Sequence, residues 1–495
     1  NFQLRFMSVS QRKPAVIPQL DCHYGLVMLV AIFLITAASS SGHSFSLAPF
    51  VDIWIRDLHV SRHTFSAAWT CTMLASSLFS PLAGQLIDHH GGRKVLFCCI
   101  PLSVGCLIWM GLASTPLELS LAITVNRLVN ADTYPLLGTT ALNHWFVKRR
   151  GKASVVLGLV WALILEFPGV ELKLESSFGV TGAYFAIAAC AGSVALLAGA
   201  LWRDAPELVG VLPDLARPAL REDAEERPER LEKAPLEAAA RPEAAGPAEA
   251  AGGALEVSFT RAEAASTGLF WSIVLMQFAQ NTLWQACHFH LLDILSLRGL
   301  SSGGAQDFYA AIAVARTVVS LLCSIWFVDW LGRRTYLLLL ISAAPQLVVS
   351  LLLAGALGPD VWTPGTAAIL GTFYGAWGGV NSAAGSVVFA QVFGRRHIGA
   401  IQGLATGAAR TSGAVGPLLF AVARDWTGSY ALPLRAVTLC TVVAAALLAL
   451  APFPWRPAEP GGQLGPDPSP ASGVVIGSPA DADVLEEPSQ RPSAG

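Results

Sequence analysis

Two arginines, Arg316 and Arg410, each fall near the middle of a long apolar segment. A charge at the centre of a bilayer costs roughly 2.5–3.5 kcal/mol on insertion scales, so it faces a cavity or a partner. A guanidinium presents a rigid fork of donors that fits a carboxylate bidentately. Two such cations in one half of the chain predict a central aqueous site for an anion. Each has a structural alternative. Arg316 could pair with an acid, although Asp307 on the same segment lies about two and a half turns away. Arg410 could clamp backbone carbonyls of a neighbouring helix.

Other side chains could serve the same site. Arg127 and Asp132 share a segment and could bridge each other or take part in proton transfer. Glu166, beside Phe167-Pro168, could carry a proton, balance an arginine or reach the interface. His43 can titrate near neutrality and is expected near an outer mouth. A hydrogen-bonded packing role is open to it as well. Asn281, Trp377 and Asn381, with Gln277, Gln280, Trp284 and Tyr374, would supply polar and aromatic lining. No Gly-rich phosphate cradle and no His/Cys/Asp cluster at metal spacing is present. The chain is therefore expected to be no enzyme and to need no cofactor or metal.

These residues need a scaffold, and composition names it. The chain has 495 residues, 53% apolar and only 13% charged, against about 25% charged in a soluble domain. That describes an integral membrane protein with the lipid bilayer as its solvent. Net charge is -2, which gives no nucleic-acid signature. The nine cysteines are scattered, without CxxC or a disulfide framework. Twelve segments are long enough to cross about 30 Å of hydrocarbon. Six cover 24–50, 64–88, 94–114, 117–146, 152–174 and 179–202. Six more cover 268–296, 303–330, 335–357, 362–393, 398–424 and 429–452. Residues 1–23 form a short basic N-terminal segment without signal-peptide features, so the first apolar segment is expected to stay as span 1. Residues 203–266 and 453–495, rich in Ala, Glu, Pro, Gly and Ser, read as a disordered connector and a disordered tail.

Lys and Arg set the orientation. Arg93-Lys94, Lys148-Arg149-Arg150-Lys152, Arg333-Arg334 and Arg395-Arg396 fall in alternate loops. Those loops, the connector and both termini are expected to be cytoplasmic, in a multi-pass protein of the plasma membrane. The halves also repeat each other. Asp88-His-His-Gly91-Gly92-Arg93-Lys94 follows span 2, and Asp329-Trp-Leu-Gly332-Arg333-Arg334 follows span 8. A basic stretch precedes span 5 and another precedes span 11. A six-plus-six parallel repeat predicts a substrate site at the midplane, between the halves.

At these residues the chain resembles the major facilitator superfamily. Gly84, Asp88, Gly91, Arg93 and Lys94 match its signature between spans 2 and 3, with His89 and Gly92 where arginines are usual. Gly413-Ala-Val-Gly416-Pro417 looks like its Gly-rich motif in span 11. The resemblance runs from Tyr24 to Ala451. It implies an all-α membrane protein, twelve transmembrane helices in two pseudo-symmetric six-helix bundles, covering 24–202 and 267–452. It also implies a gate built from Gly84, Asp88, Gly91, Arg93, Asp329, Gly332 and Arg333, with each motif Asp facing a helix N-terminus. Tyr24-Gly25, Ala315-Arg316 and Phe393-Gly394-Arg395-Arg396-His397-Ile398-Gly399 resemble the monocarboxylate and oxalate/formate branch. There Arg316 matches an arginine that binds substrate carboxylate, and Arg410 matches a second basic residue in kind. That branch's aspartate falls on Ile312, and its lysine of span 1 falls near His43-Ser44. The expectation is a secondary transporter of a mono- or dicarboxylate, proton-coupled or exchanging. The alternatives are a facilitator of another small solute and a membrane receptor or scaffold. Nothing in the sequence specifies an accessory membrane subunit.

Overall fold

The computed structural model of the chain describes residues 24–209, 211, 213–215, 258–297, 299–300, 302–356 and 362–454. The N-terminal segment 1–23, the middle of the connector and nearly all of the tail lie outside the described residues, and so does the side chain of Glu166. Every regular element among the described residues is helical.

The first half holds Tyr24–Ala38 and Ser44–Asp57 (span 1), Arg62–His90 (span 2), and Gly92–Leu112 (span 3). Pro116–Asn126 and Tyr134–Trp145 form span 4, joined by a π-helical stretch, Arg127–Thr133. Arg150–Leu201 is divided by Gly179, at φ +68°, into spans 5 and 6. The second half holds Gly268–Leu297 (span 7), Ser302–Leu322 and Val328–Leu331 (span 8), and Tyr336–Leu353 (span 9). Pro364–Gly385 and Val388–Phe393 form span 10, followed by Ile398–Thr427 (span 11) and Ala431–Leu450 (span 12). Span 8 carries its own π-helical stretch, Cys323–Phe327. Local sequence explains many boundaries. Thr115 and Glu118 form a capping box ahead of Pro116. Thr363 and Thr366 do the same at span 10.

Among the described residues, six helical stretches are long and apolar enough, by length and composition alone, to cross a membrane: Tyr24–Gly42, Gly92–Leu112, Phe167–Leu201, Asp307–Arg334, Tyr336–Leu353 and Ala431–Leu450. The sequence reading had twelve. The difference has a physical cause. Spans 3, 6, 9 and 12, which all qualify, contribute no residue to the central cavity. Spans 4, 7, 10 and 11, which do not qualify, supply most of its Asn, Thr, Ser and Arg lining. A span facing water on one side is less apolar than one facing lipid.

The halves meet along two seams, spans 2 and 11 and spans 5 and 8. Gly84 is required at the first seam. A Cβ there would sit 2.0 Å from the Gly399 carbonyl oxygen. The connector is not loose at its ends. Short helical turns at Pro206–Val209 and Pro213–Leu215 follow span 6, and Arg261–Ala265 precedes span 7. Phe259 is buried, packs on Phe393 and donates its N–H to the Phe393 carbonyl at 2.8 Å. The expected disorder of 203–266 therefore fails at both ends, because these residues find buried apolar and backbone partners. Residues 216–257 lie outside the described residues.

Candidate functional site

A cavity of about 300 Å³ lies between the halves. Asp132, Trp161, Asn281, Asn381, Gln402 and Arg410 line it, with Ser320 and Ser324 of span 8. Both halves contribute, as the repeat predicted.

The two mid-membrane arginines are held differently. Arg410 Nε lies 2.9 Å from Asp132 Oδ1, and Arg410 Nη2 donates to the Ala131 carbonyl at 2.9 Å. Asp132 is fully buried in the π-helical stretch of span 4, and Ser76 of span 2 donates to its other oxygen. Both groups are therefore answered inside the protein, across the seam between halves. Arg316 has no ion pair among the described residues. Its guanidinium lies over two indoles instead, Trp284 at 5.3 Å and Trp161 at 6.0 Å. It is one turn from Ser320, which lines the cavity. Asp307 is exposed at the far end of span 8.

Several expectations change here. The Arg127–Asp132 bridge does not form. Arg127 is buried over Trp69 and donates to the Gly42 carbonyl at 3.3 Å, while Asp132 faces the other half. His43 is not at a mouth. It is buried at the break in span 1, 4.8 Å from the Trp161 ring and with Nε2 3.4 Å from Ser39 Oγ. Asn281 lines the cavity but spends its amide on span 11, donating to the Ala409 carbonyl and Ser412 Oγ at 2.7 Å each. Asn381 lines the cavity. Trp377 does not; it is fully buried against Trp284 and Tyr374.

The face that carries the basic loops is closed by side chains bound to backbone. Asp88 Oδ1 and Oδ2 accept the Gly399 and Ala400 N–H groups at 2.9 and 2.6 Å, at the N-terminus of span 11. Asp329 does the reciprocal thing, accepting the Gly151 and Lys152 N–H groups at 2.5 and 3.1 Å at the N-terminus of span 5. A carboxylate there meets the positive end of a helix dipole and its orphan N–H groups. Gly91 and Gly332 follow at φ +84° and +51°, in the region that favours glycine, and turn the chain away. Arg93 and Arg333 do not latch the halves. Arg93 lies over Phe97 of its own helix at 5.9 Å, and Arg333 over Phe453 at 4.6 Å.

Arg150 and Arg395, which the sequence reading used for topology, the repeat and, at Arg395, the branch resemblance, fill that role. Arg150 donates to the Ala390 carbonyl of the other half at 3.1 Å, and Arg395 donates back to the His144 carbonyl at 2.9 Å. Asn143 adds a bond to the Ser386 carbonyl at 3.0 Å. The signal was present, because Arg150 and Arg395 lie in the basic stretches ahead of spans 5 and 11. Three connector acids were also missed. Asp204 accepts the Arg93 N–H at 2.7 Å. Asp214 accepts three successive N–H groups, of Val147, Lys148 and Arg149, at 2.8–3.0 Å. Glu207 pairs with Arg395 at 2.5 Å. Glu171 of span 5 was passed over too; it is buried and bonded to Ser46 of span 1.

With this geometry in hand, comparison with known proteins is specific. A family profile described as Major Facilitator Superfamily matches residues 28–376. Among solved structures, the chain is similar to the human organic anion transporter MFSD10 (TETRAN), with a TM-score of 0.57 and 14% sequence identity. The similarity covers 87% of this chain and 99% of that one. At that identity it speaks for the fold. No curated protein gives a significant sequence match.

Proposed function

This chain belongs to the major facilitator superfamily, and on that premise we propose that it carries a small mono- or dicarboxylate across the membrane by alternating access. Membership makes it a multi-pass membrane transporter. The substrate class is inferred from one observation. Arg316 sits at mid-membrane depth beside the cavity, and no protein carboxylate offsets its charge among the described residues. An uncompensated cation in a bilayer is costly, and a visiting carboxylate removes that cost while meeting the guanidinium fork bidentately. MFSD10 is an organic anion transporter, which agrees, although that likeness carries the fold alone.

Arg410 is the second candidate ligand, and Asp132 occupies it in this state. A dicarboxylate would need Asp132 to release it, so the first anchor is Arg316. The basic face is read as cytoplasmic and is closed here by the Asp88 and Asp329 caps. Opening that face breaks both caps together with the Arg150 and Arg395 bonds, and the cavity then drains to the cytoplasm. Coupling to protons or to exchange belongs to this reading, with Asp132 and Arg127 beside the route. Both termini are read as cytoplasmic, in the plasma membrane.

The test is purified full-length protein in liposomes, offered labelled acetate, lactate, pyruvate, oxalate and succinate one at a time. Saturable uptake or counterflow of at least one, lost in Arg316→Ala, is expected. Uptake of a neutral solute alone would favour a facilitator. No flux of any solute would favour a receptor or scaffold.

A further inference from the structure

Arg316 is held by aromatic faces from both halves, and the two faces differ in character. Trp284, on span 7, is wedged into the second half. Its ring centroid lies 4.9 Å from that of Tyr374 and 5.6 Å from that of Trp377. Gly378 leaves it room, since a Cβ there would lie 2.6 Å from Trp284 Cζ3. This indole is fixed. Trp161, on span 5, belongs to the opposite half, is only partly buried and lines the cavity. His43 backs it at 4.8 Å, with the rings tilted by 58°. Trp161 is thus the one described contact by which the first half holds the Arg316 guanidinium.

The chemistry of the cation makes that contact consequential. A guanidinium is planar and carries all its N–H donors on its rim, with none on its faces. Indole is the strongest aromatic partner for such a cation. Faces taken by indoles leave the rim as the only place for a carboxylate to bind. The geometry points to Trp161 as a positioning residue for the anion site: with Trp284 it holds the Arg316 guanidinium in plane, so that the donor rim is presented to the carboxylate. It supplies the first half's share of a site whose charge lies in the second half. When the halves rock, Trp161 and Arg316 part, so the site is complete only while their seam is closed.

This rests on the reading of Arg316 as the anion's ligand, and two measurements separate the claims. The first uses the full chain in liposomes and whichever of the five carboxylates above the wild-type protein transports. Tryptophan at 161 is replaced site-specifically by mono-, di- and trifluorotryptophan, which weakens the ring quadrupole while keeping ring shape. KM is expected to climb with each fluorine, with kcat nearly constant. Trp161→Leu should raise KM about tenfold, and Trp161→Phe should recover part of that loss. A residue that merely fills space gives a KM indifferent to fluorine, which overturns the proposal. The second is a double-mutant cycle in thermal stability on purified Trp161→Leu, Arg316→Gln and the double variant. It needs no transport. Coupling between the two substitutions is expected, and simple additivity overturns the proposal. If wild-type protein moves none of the carboxylates, the anion reading falls, and the cycle alone decides whether Trp161 holds Arg316.

Discussion

The midplane and the basic face both join the two halves, yet they do so with different chemistry and different symmetry. At the basic face the two Asp caps and the two Arg bonds come in reciprocal pairs. Asp88 of the first half caps span 11, and Asp329 of the second caps span 5. Arg150 binds a carbonyl of span 10, and Arg395 binds one of span 4. At the midplane no such reciprocity is seen among the described residues. The anionic partner, Asp132, lies in the first half and both cavity-side arginines lie in the second. A duplicated fold can share a mechanical closure between its copies. A substrate cannot be shared that way, because one molecule presents different groups to each side. On the proposed function, symmetry marks the machinery of closure, and its loss marks the site of recognition.

Removing charge from the midplane is the sharpest way to break this contrast. Arg316→Ala is expected to lower carboxylate uptake by roughly two orders of magnitude, matching about 3 kcal/mol for a lost buried charge-assisted contact. Surface expression should persist, because no acid among the described residues is left unpaired by the alanine variant. Arg316→Lys should recover little, since a point charge does not reproduce the planar fork or its place over the two indoles. Wild-type uptake by the alanine variant would remove Arg316 from the site.

The Asp132–Arg410 pair should behave in the opposite way and show its effect first in stability. Asp132→Ala leaves a mostly buried guanidinium without its acid, and the purified protein should lose about 3 kcal/mol. Adding Arg410→Met to that variant should restore most of the loss, because the orphaned charge is gone. A double variant as unstable as the single one would mean that Asp132 supports the fold through Ser76 alone. At Arg316 no acid among the described residues offers the same cycle, and that is the asymmetry in measurable form.

The sequence carried the two regions unequally. The motif residues Asp88 and Asp329 were legible because the motif occurs twice, and that each faces a helix N-terminus came from the family resemblance, since the capped residues Gly399 and Gly151 are far along the chain. Arg150 and Arg395 were hidden by a competing role, since basic residues in these loops also serve topology. Arg410 was legible as a mid-membrane cation, but its partner was not. Asp132 looked like a mate for Arg127, five residues away, and spatial closeness across a cavity leaves no mark on spacing. The docked connector ends failed for another reason. Composition reports whether a stretch can build a core, whereas Asp204 and Asp214 only need one exposed set of N–H groups each.

Reciprocity at the basic face can be tested directly. Asp88→Asn and Asp329→Asn should each weaken one carboxylate–helix cap by about 1 kcal/mol, a several-fold shift toward states open on that face. Labelling of a cysteine at Asn381, which lines the cavity, should rise from that side by similar amounts in the two variants. A rise in one variant alone would show that closure is as lopsided as recognition. Unchanged labelling in both would leave Arg150 and Arg395 as the latch.

The smallest effect is expected where the symmetry is broken outside the bundles. Among the described residues only the first half is followed by a strap, in which Asp204 and Asp214 hold backbone N–H groups of their own half and Glu207 reaches Arg395 of the other. The strap ends by Leu215, and the chain is docked again at Phe259. Excising 217–256 therefore removes none of these contacts. Loop-closure entropy changes by only about 0.6 kcal/mol for each doubling of loop length, so a short flexible replacement should leave transport rates within about twofold. Glu207→Gln is the matched control, because it keeps the length and removes the ion pair that crosses the halves at the basic face. That pair is partly exposed, at 24% and 46% for its two side chains, and exposed pairs contribute about 0–1 kcal/mol. It should therefore speed opening of the basic face slightly, in the same direction as Asp88→Asn and by less. A large loss of transport in the excised protein, with the strap intact, would place part of the working mechanism in the connector itself.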